Sequence, residues 1–224
     1  MHKTKFNLIQ SAAFLLIAMT SIVGAQALAA TPLKLTFETH AAFFSSETKQ
    51  PKAIDPEVFV QDAAAKAATG PQGIKHVNGV RPAFIAQDPK SSKLFNADDK
   101  PLGFTLGQWL GASGSVSITL TKDGRAIVKA DFKGLRPGGR YSLFENHFDQ
   151  KPIGFTPLDG AGKTNSFTAQ KNGAARVTVA APKMLTHANA VLLVYHSDGK
   201  AHGALRGAIG INAHHQLIAR IPKK

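Results

Sequence analysis

The stretch SGSVSITLTKDGRAIVKADF, residues 113–132, decides the fold class of this chain. Apolar residues alternate with polar ones on both sides of Asp123-Gly124, which is typical of two antiparallel strands with one buried face. An Asp-Gly pair favours a tight hairpin turn because glycine readily adopts a positive φ. The stretch therefore predicts a β-hairpin whose strands lie near 116–120 and 126–132.

The chain after this hairpin continues as a series of short strands separated by turn residues. The most apolar strand, Ala190 to His196, is predicted to be buried on both faces. The others are predicted at 141–145, 166–169, 177–179, 205–211 and 217–221. This pattern predicts an all-β fold, an antiparallel Greek-key β-sandwich over residues 102–224.

The segment before the hairpin has a weaker pattern, and residues 30–101 are predicted to form an irregular N-terminal arm. Alternating Leu33, Leu35 and Phe37 indicate one possible strand, and the following polar residues read as a loop. A short helix is predicted from Asp55 to Lys66, because an aspartate at the N-cap with proline after it is a common helix start.

The first 29 residues have the pattern of a secretory signal peptide. Lys3 and Lys5 precede an uncharged apolar run, and Ala27-Leu28-Ala29 supplies the small residues of a cleavage site. An uncleaved anchor is the alternative. No later stretch reaches about 18 apolar residues, so no transmembrane segment is expected after signal cleavage. The predicted location is secreted or periplasmic, in a bacterium.

Composition excludes several classes of chemistry. The 224 residues contain no cysteine, which rules out disulfides, thiolate zinc sites, iron–sulfur clusters and a cysteine nucleophile. The sequence also lacks a serine nucleophile elbow and a phosphate-binding loop. No pair of carboxylates for glycoside hydrolysis is indicated, because the sequence does not place two of them at the required separation. These absences favour a protein that binds rather than catalyses.

The net charge of +13 is concentrated towards the C-terminus, where residues beyond 160 carry nine basic groups and one acid, Asp198. Such a surface attracts anionic envelope components such as lipopolysaccharide phosphates. The candidate anion-binding residues are Arg176, Arg206, Arg220, Lys223 and Lys224. No aromatic residues alternate with them, so a specific nucleic-acid partner is not predicted. A basic exported protein without a dedicated ligand is the alternative.

Histidines gather in the same region and suggest a metal site. His147-Phe148-Asp149 and His196-Ser197-Asp198 each follow a predicted strand, which could project a histidine and a carboxylate to one side. Imidazole and carboxylate suit copper or zinc. The predicted ligands are His147, His196, His202, His214, Asp149 and Asp198. Alternatively, His196 is an interior histidine and the later ones lie in solvated loops.

Two stretches resemble the secreted Greek-key domains of the CHRD and copper/zinc superoxide dismutase-like kind. They are the hairpin followed by Gly134-Leu135-Arg136-Pro137-Gly138, and Val194-Tyr195-His196 followed by the glycine-rich 203–209. The resemblance implies an extracellular β-sandwich. It does not extend to dismutase activity, because the strand at 141–147 has one histidine where that enzyme has two, and its cysteines are missing.

The sequence as a whole predicts an exported, non-enzymatic binding or structural module. Its ligand would be a transition metal held by clustered histidines or an anionic envelope component. The alternative is a metal-dependent oxidoreductase or superoxide dismutase-like enzyme.

Overall fold

The structure is a computed structural model that describes residues 31–223. The predicted signal peptide and Lys224 lie outside the described residues. In chain order the strands are β1 Leu33–Thr36, β2 Glu38–Thr39, β3 Ile54–Gln61, β4 Ala68–Thr69, β5 Lys75–His76, β6 Val80–Phe84, β7 Lys93–Phe95, β8 Pro101–Thr105, β9 Ser113–Leu120, β10 Ala126–Lys133, β11 Arg140–His147, β12 Gly154–Pro157, β13 Ser166–Thr168, β14 Ala175–Ala181, β15 Asn189–His196 and β16 Ala213–Arg220. The helices are α1 His40–Glu47, α2 Leu106–Leu110 and a 3₁₀ turn at Pro71–Gly73.

These strands form three larger antiparallel sheets and one small pair. Sheet A has the order β1-β9-β10-β14, and sheet B has the order β12-β11-β15-β16-β2, with β13 also paired to β11. Sheet C has the order β6-β3-β7-β8, and β4 pairs with β5. The all-β antiparallel sandwich predicted from the sequence is confirmed.

The predicted hairpin is the centre of sheet A. Val116 pairs with Ala130 and Ile118 with Val128, and all four side chains are buried. Gly124 has a φ of 83° in the connecting turn, which a residue with a Cβ rarely adopts. The alternation in the sequence therefore corresponds to one face turned towards the core.

One hydrophobic core joins sheets A, B and C. It contains Ile118 of β9, Leu143 of β11 and Tyr195 of β15, together with Val58 of β3 and Trp109 of α2. A second cluster covers the opposite, outer face of sheet B, where Phe144, Leu192 and Ile218 are packed against Phe43 of α1. Sheet B is thus buried on both faces, as predicted for Ala190 to His196.

The prediction of a helix at 55–66 is wrong, because Ile54–Gln61 form strand β3 inside sheet C. The Oδ1 atom of Asp55 accepts from the backbone N–H of Glu57 and of Val58, as an N-cap would. The chain then remains extended, and the register of β3 with β6 shifts between Asp55 and Phe59. The helix-start pattern here stabilises a bulge in a strand.

The description of residues 30–101 as an irregular arm also fails, since most of sheet C lies within them. The one helix of the arm is α1, in a stretch whose second half was predicted to be loop. Thr39 caps α1 by accepting from the N–H of Ala42 at 3.3 Å. Helix α1 packs against β3 and β16.

The strand predicted at 205–211 is a loop, and the last strand starts earlier than predicted, at Ala213. Gly203, Gly207 and Gly210 all have positive φ in this loop. A Cβ on Gly207 would come within 2.7 Å of Asn212 Oδ1, so the turn requires glycine there. Because of this shift, His214 and His215 belong to β16.

Candidate metal centre

Three side chains from separate elements meet at the edge of the outer face of sheet B. His40 is the first residue of α1, Glu57 lies in β3, and His215 lies in β16. One nitrogen of each histidine and one carboxylate oxygen all lie within 4.8 Å of one another. Among residues 31–223 this is the one group of three or more potential metal ligands with such spacing. We call these three residues the triad.

The bulge in β3 and the indole of Trp109 determine where Glu57 points. Trp109 Nε1 donates to Asp55 Oδ2 at 2.8 Å, and its carbonyl accepts from the side chain of Gln216 in β16. The carbonyl of Glu57 accepts from His214 Nδ1 at 2.9 Å. The carboxylate of Glu57 is thereby directed at β16, where its Oε2 accepts from the backbone N–H of His215 at 2.6 Å.

The ligand atoms of the triad have separations suited to a small cation. Glu57 Oε1 lies 2.8 Å from His215 Nδ1 and 3.7 Å from His40 Nδ1. Two ligands of a tetrahedral zinc ion, each bonded at about 2.1 Å, lie about 3.4 Å apart. The observed separations fall on either side of this value.

All three of these atoms are buried and lack a hydrogen bond of acceptable angle, although Glu57 Oε1 and His215 Nδ1 are 2.8 Å apart. His40 Nδ1, Glu57 Oε1 and His215 Nδ1 have no partner of acceptable geometry among the described residues. Buried polar atoms without partners are rare in folded proteins, because each one has lost its water without a replacement. Ligation of an ion is one explanation for such atoms, and here three of them converge.

The protonation states at neutral pH also suit a cation. Burial lowers the pKa of His40 to about 4 and the pKa of His215 well below its usual value. Both rings are therefore neutral, as metal ligation requires. Burial raises the pKa of Glu57 to about 7, although the nearby His40 opposes this rise. Arg206 also opposes the rise, and a cation in place of the proton of Glu57 would neutralise the buried carboxylate directly.

Arg206 lies beside the triad and contacts the other nitrogen of His215. Its Nη1 is 3.0 Å from His215 Nε2, and its guanidinium carbon lies 3.2 Å from the centre of the Phe155 ring. Because arginine is only a donor, this contact needs Nε2 as acceptor and the proton on Nδ1. A metal on Nδ1 needs the opposite tautomer, so Arg206 and a metal compete for His215.

An open pocket of about 490 Å³ leads to the triad over the outer face of sheet B. His40 and His215 line it, and Glu57 lies behind them. The other walls are largely apolar and include Phe43, Phe148 and Phe155. The pocket gives ions and small molecules a route to two of the three candidate ligands.

The six ligands predicted from the sequence do not meet at one site. His214 faces the inner core beside Trp109 and Tyr195, whereas His196 faces the outer side and its Nε2 lies 2.7 Å from Ser142 Oγ. His147 is at the far end of β11, where its Nε2 lies 2.9 Å from Thr156 Oγ1.

Three of the six predicted ligands do come close together. His202 Nε2 lies 3.1 Å from Asp198 Oδ2, and the rings of His196 and His202 are 5.2 Å apart between centres. Asp149 does not belong to this group, because it is exposed in the turn after β11. The partial cluster of His196, Asp198 and His202 does not reach the mutual spacing of the triad.

The triad was not found from the sequence, for a different reason at each residue. His40 fell in the predicted arm, Glu57 in the predicted helix, and His215 in a predicted loop. Glu57 and His215 are 158 residues apart in the chain, so no local motif unites them. The one signal in the sequence was the His214-His215 pair shortly before the predicted last strand at 217–221.

The predicted anion-binding residues are dispersed. Arg176, on β14 of sheet A, is paired with Asp131 at 2.6 Å and is largely exposed. Arg220 is paired with Glu47 at 3.0 Å and lies over Phe148. Lys223 is exposed after β16, and Lys224 lies outside the described residues. Of the five, Arg206 alone lines the pocket.

Comparison of the chain with family models, with curated proteins and with solved structures returned no significant match. The likeness to CHRD and dismutase-like domains accordingly stays a prediction. No helix among the described residues is long and apolar enough to cross a membrane.

Proposed function

We propose that this protein is an exported, non-enzymatic binding module that holds a divalent transition metal, zinc or copper, at His40, Glu57 and His215. The observation that carries the proposal is the convergence of three buried ligand atoms without hydrogen bonds. Two imidazole nitrogens and one carboxylate oxygen form a donor set that suits zinc and copper(II). The proposed metals are the ones predicted from the sequence, but the proposed ligands are different residues.

The surroundings support binding in a defined geometry. The main-chain contact of Glu57 with His215 and the capping of α1 hold two of the ligands on regular elements. Three protein ligands leave at least one further position on a zinc ion. The pocket lined by His40 and His215 could supply water or a small ligand to that position.

A zinc titration of the mature protein tests this proposal. The protein would be purified without a histidine tag, stripped with a chelator and titrated by calorimetry at pH 7.5, with copper(II) in a parallel series. We expect one zinc per chain and an increase in melting temperature of several degrees, because a ligand at 100 times its Kd stabilises a fold by about 2.7 kcal/mol.

The absence of saturable metal binding would contradict the proposal. If neither zinc nor copper(II) binds saturably, and neither changes the melting temperature, the triad is not a metal site. Calcium provides a control, because two imidazole ligands disfavour a cation that prefers oxygen.

A further inference from the structure

The pocket beside the triad combines an aromatic wall with a cation that forms no salt bridge within residues 31–223. Phe43 and Phe148 lie 5.7 Å apart between ring centres, and Phe155 and Ile209 belong to the same lining. A cavity of about 490 Å³ falls in the range of sites for small organic molecules, which combine apolar walls with a few polar groups.

The cation is Arg206, and its environment differs from that of the neighbouring arginine. Arg220 at the side of the aromatic wall is paired with Glu47. The one hydrogen bond of Arg206 among the described residues goes to His215, and Glu57 attracts its charge from beyond salt-bridge distance. Burial lowers the pKa of Arg206 to about 10, so the guanidinium remains charged at neutral pH.

The guanidinium of Arg206 is half-buried and forms no salt bridge among the described residues, so it can still pair with an anion. It offers five N–H donors, and a planar carboxylate matches two of them at once. Stacking on Phe155 fixes the plane of the group, so little flexibility remains to be lost when an anion binds. Arg206 lines a pocket whose other walls are largely apolar and aromatic, which suits a flat apolar ring.

We propose that this pocket binds a small aromatic carboxylate, with its ring among Phe43, Phe148 and Phe155 and its carboxylate on Arg206. The inference goes beyond the proposed metal site and does not depend on it, since none of these four residues is a member of the triad. Arg206 was predicted from the sequence to bind an envelope anion, and the pocket restricts that role to a small organic acid.

The test uses 2-naphthoate as the probe and its uncharged analogue, 2-naphthalenemethanol, as the matched ligand. Binding to metal-free protein would be followed by calorimetry at pH 7.5. We expect 2-naphthoate to bind at one site, and the alcohol to bind at least about tenfold more weakly, because a hydrogen bond to a charged group contributes roughly 1.5–3 kcal/mol.

Two arginine variants locate the site. Arg206→Gln is expected to weaken naphthoate binding at least about tenfold and to leave binding of the alcohol unchanged. Arg176→Gln is the matched control, since Arg176 is exposed on sheet A, and it should bind naphthoate like the parent protein.

Failure of this inference is distinguishable from failure of the metal site. The inference is overturned if naphthoate does not bind saturably, if acid and alcohol bind equally, or if Arg206→Gln binds naphthoate like the parent. A zinc titration of Arg206→Gln reports separately on the triad, because the substitution removes a competitor for His215. Zinc should bind this variant at least as tightly as it binds the parent protein.

Discussion

Replacing His215 by alanine is expected to lower the affinity of the protein for zinc by at least about 100-fold. Loss of a residue that only orients a metal ligand already costs about 10–100-fold, and loss of a ligand costs more. His215 Nδ1 is the nitrogen closest to Glu57 Oε1, at 2.8 Å. His40→Ala should weaken zinc binding in the same way.

Glu57→Gln is a gentler change that tests the same site. Glutamine keeps the shape of glutamate and an oxygen that can accept from the backbone N–H of His215. It removes the negative charge that a divalent cation would neutralise. We therefore expect this variant to remain folded and to lose zinc affinity, which separates ligation from structural damage.

His202→Ala is the matched control for these variants. His202 lies near His196 and Asp198, in the partial cluster that the sequence favoured. We expect this variant to bind zinc like the parent protein. If His202→Ala loses zinc and His215→Ala retains it, the metal site belongs to the partial cluster. Affinities would be measured by competition with a chromophoric chelator, and folding by circular dichroism.

The second large effect is a loss of stability in mild acid. Without metal, the fold is expected to lose on the order of 3 kcal/mol between pH 7 and pH 5. Four buried histidines cause this loss, and two buried carboxyls offset part of it. Burial lowers the pKa of His40, His196 and His214 to about 4. It lowers the pKa of His215 well below its usual value.

The direction of this change in stability follows from which state, folded or unfolded, binds more protons. As the pH falls below 6.5, the unfolded chain protonates these histidines while the folded chain does not, so acid favours unfolding. Asp55 and Glu57 act in the opposite direction. Burial raises the pKa of each to about 7, and the folded protein is stabilised when they become protonated. Four histidines outweigh two carboxyls, leaving a net uptake of about two protons on unfolding near pH 5.

Urea unfolding at pH 7 and pH 5 measures this effect. Trp109, the only tryptophan of the chain, is buried in the core and reports the transition by fluorescence. His214→Asn should reduce the difference by about 1–2 kcal/mol, whereas His187→Asn, at an exposed position, should not change it. Equal or greater stability at pH 5 would contradict the burial of neutral histidines described here.

The parts of the fold that the sequence predicted are those with local patterns. Alternation around Asp123-Gly124 identified β9 and β10, and the uninterrupted apolar run identified β15, buried on both faces. Sheet C lacked such a pattern. Strand β3 reads Ile54-Asp55-Pro56-Glu57-Val58, in which two acids and a proline suggest a helix start and conceal a buried strand.

The site was harder to predict than the fold, because tertiary contacts create it. Histidines were expected to bind metal on the basis of their density near the C-terminus, and one residue of that region, His215, does belong to the triad. Its partners come from the predicted irregular arm, His40 outside any predicted element and Glu57 within the predicted helix. The burial of Glu57 is what marks it as a candidate site residue, and that burial is visible only in the folded structure.

The location of bound zinc in crystals is the most direct test of the triad. An anomalous difference map at the zinc absorption edge should show one strong peak about 2.0–2.2 Å from His40 Nδ1, His215 Nδ1 and an oxygen of Glu57. Arg206 should have moved away from His215 Nε2. A zinc peak at His196 and His202, or none at the triad in crystals soaked with saturating zinc, would contradict the account.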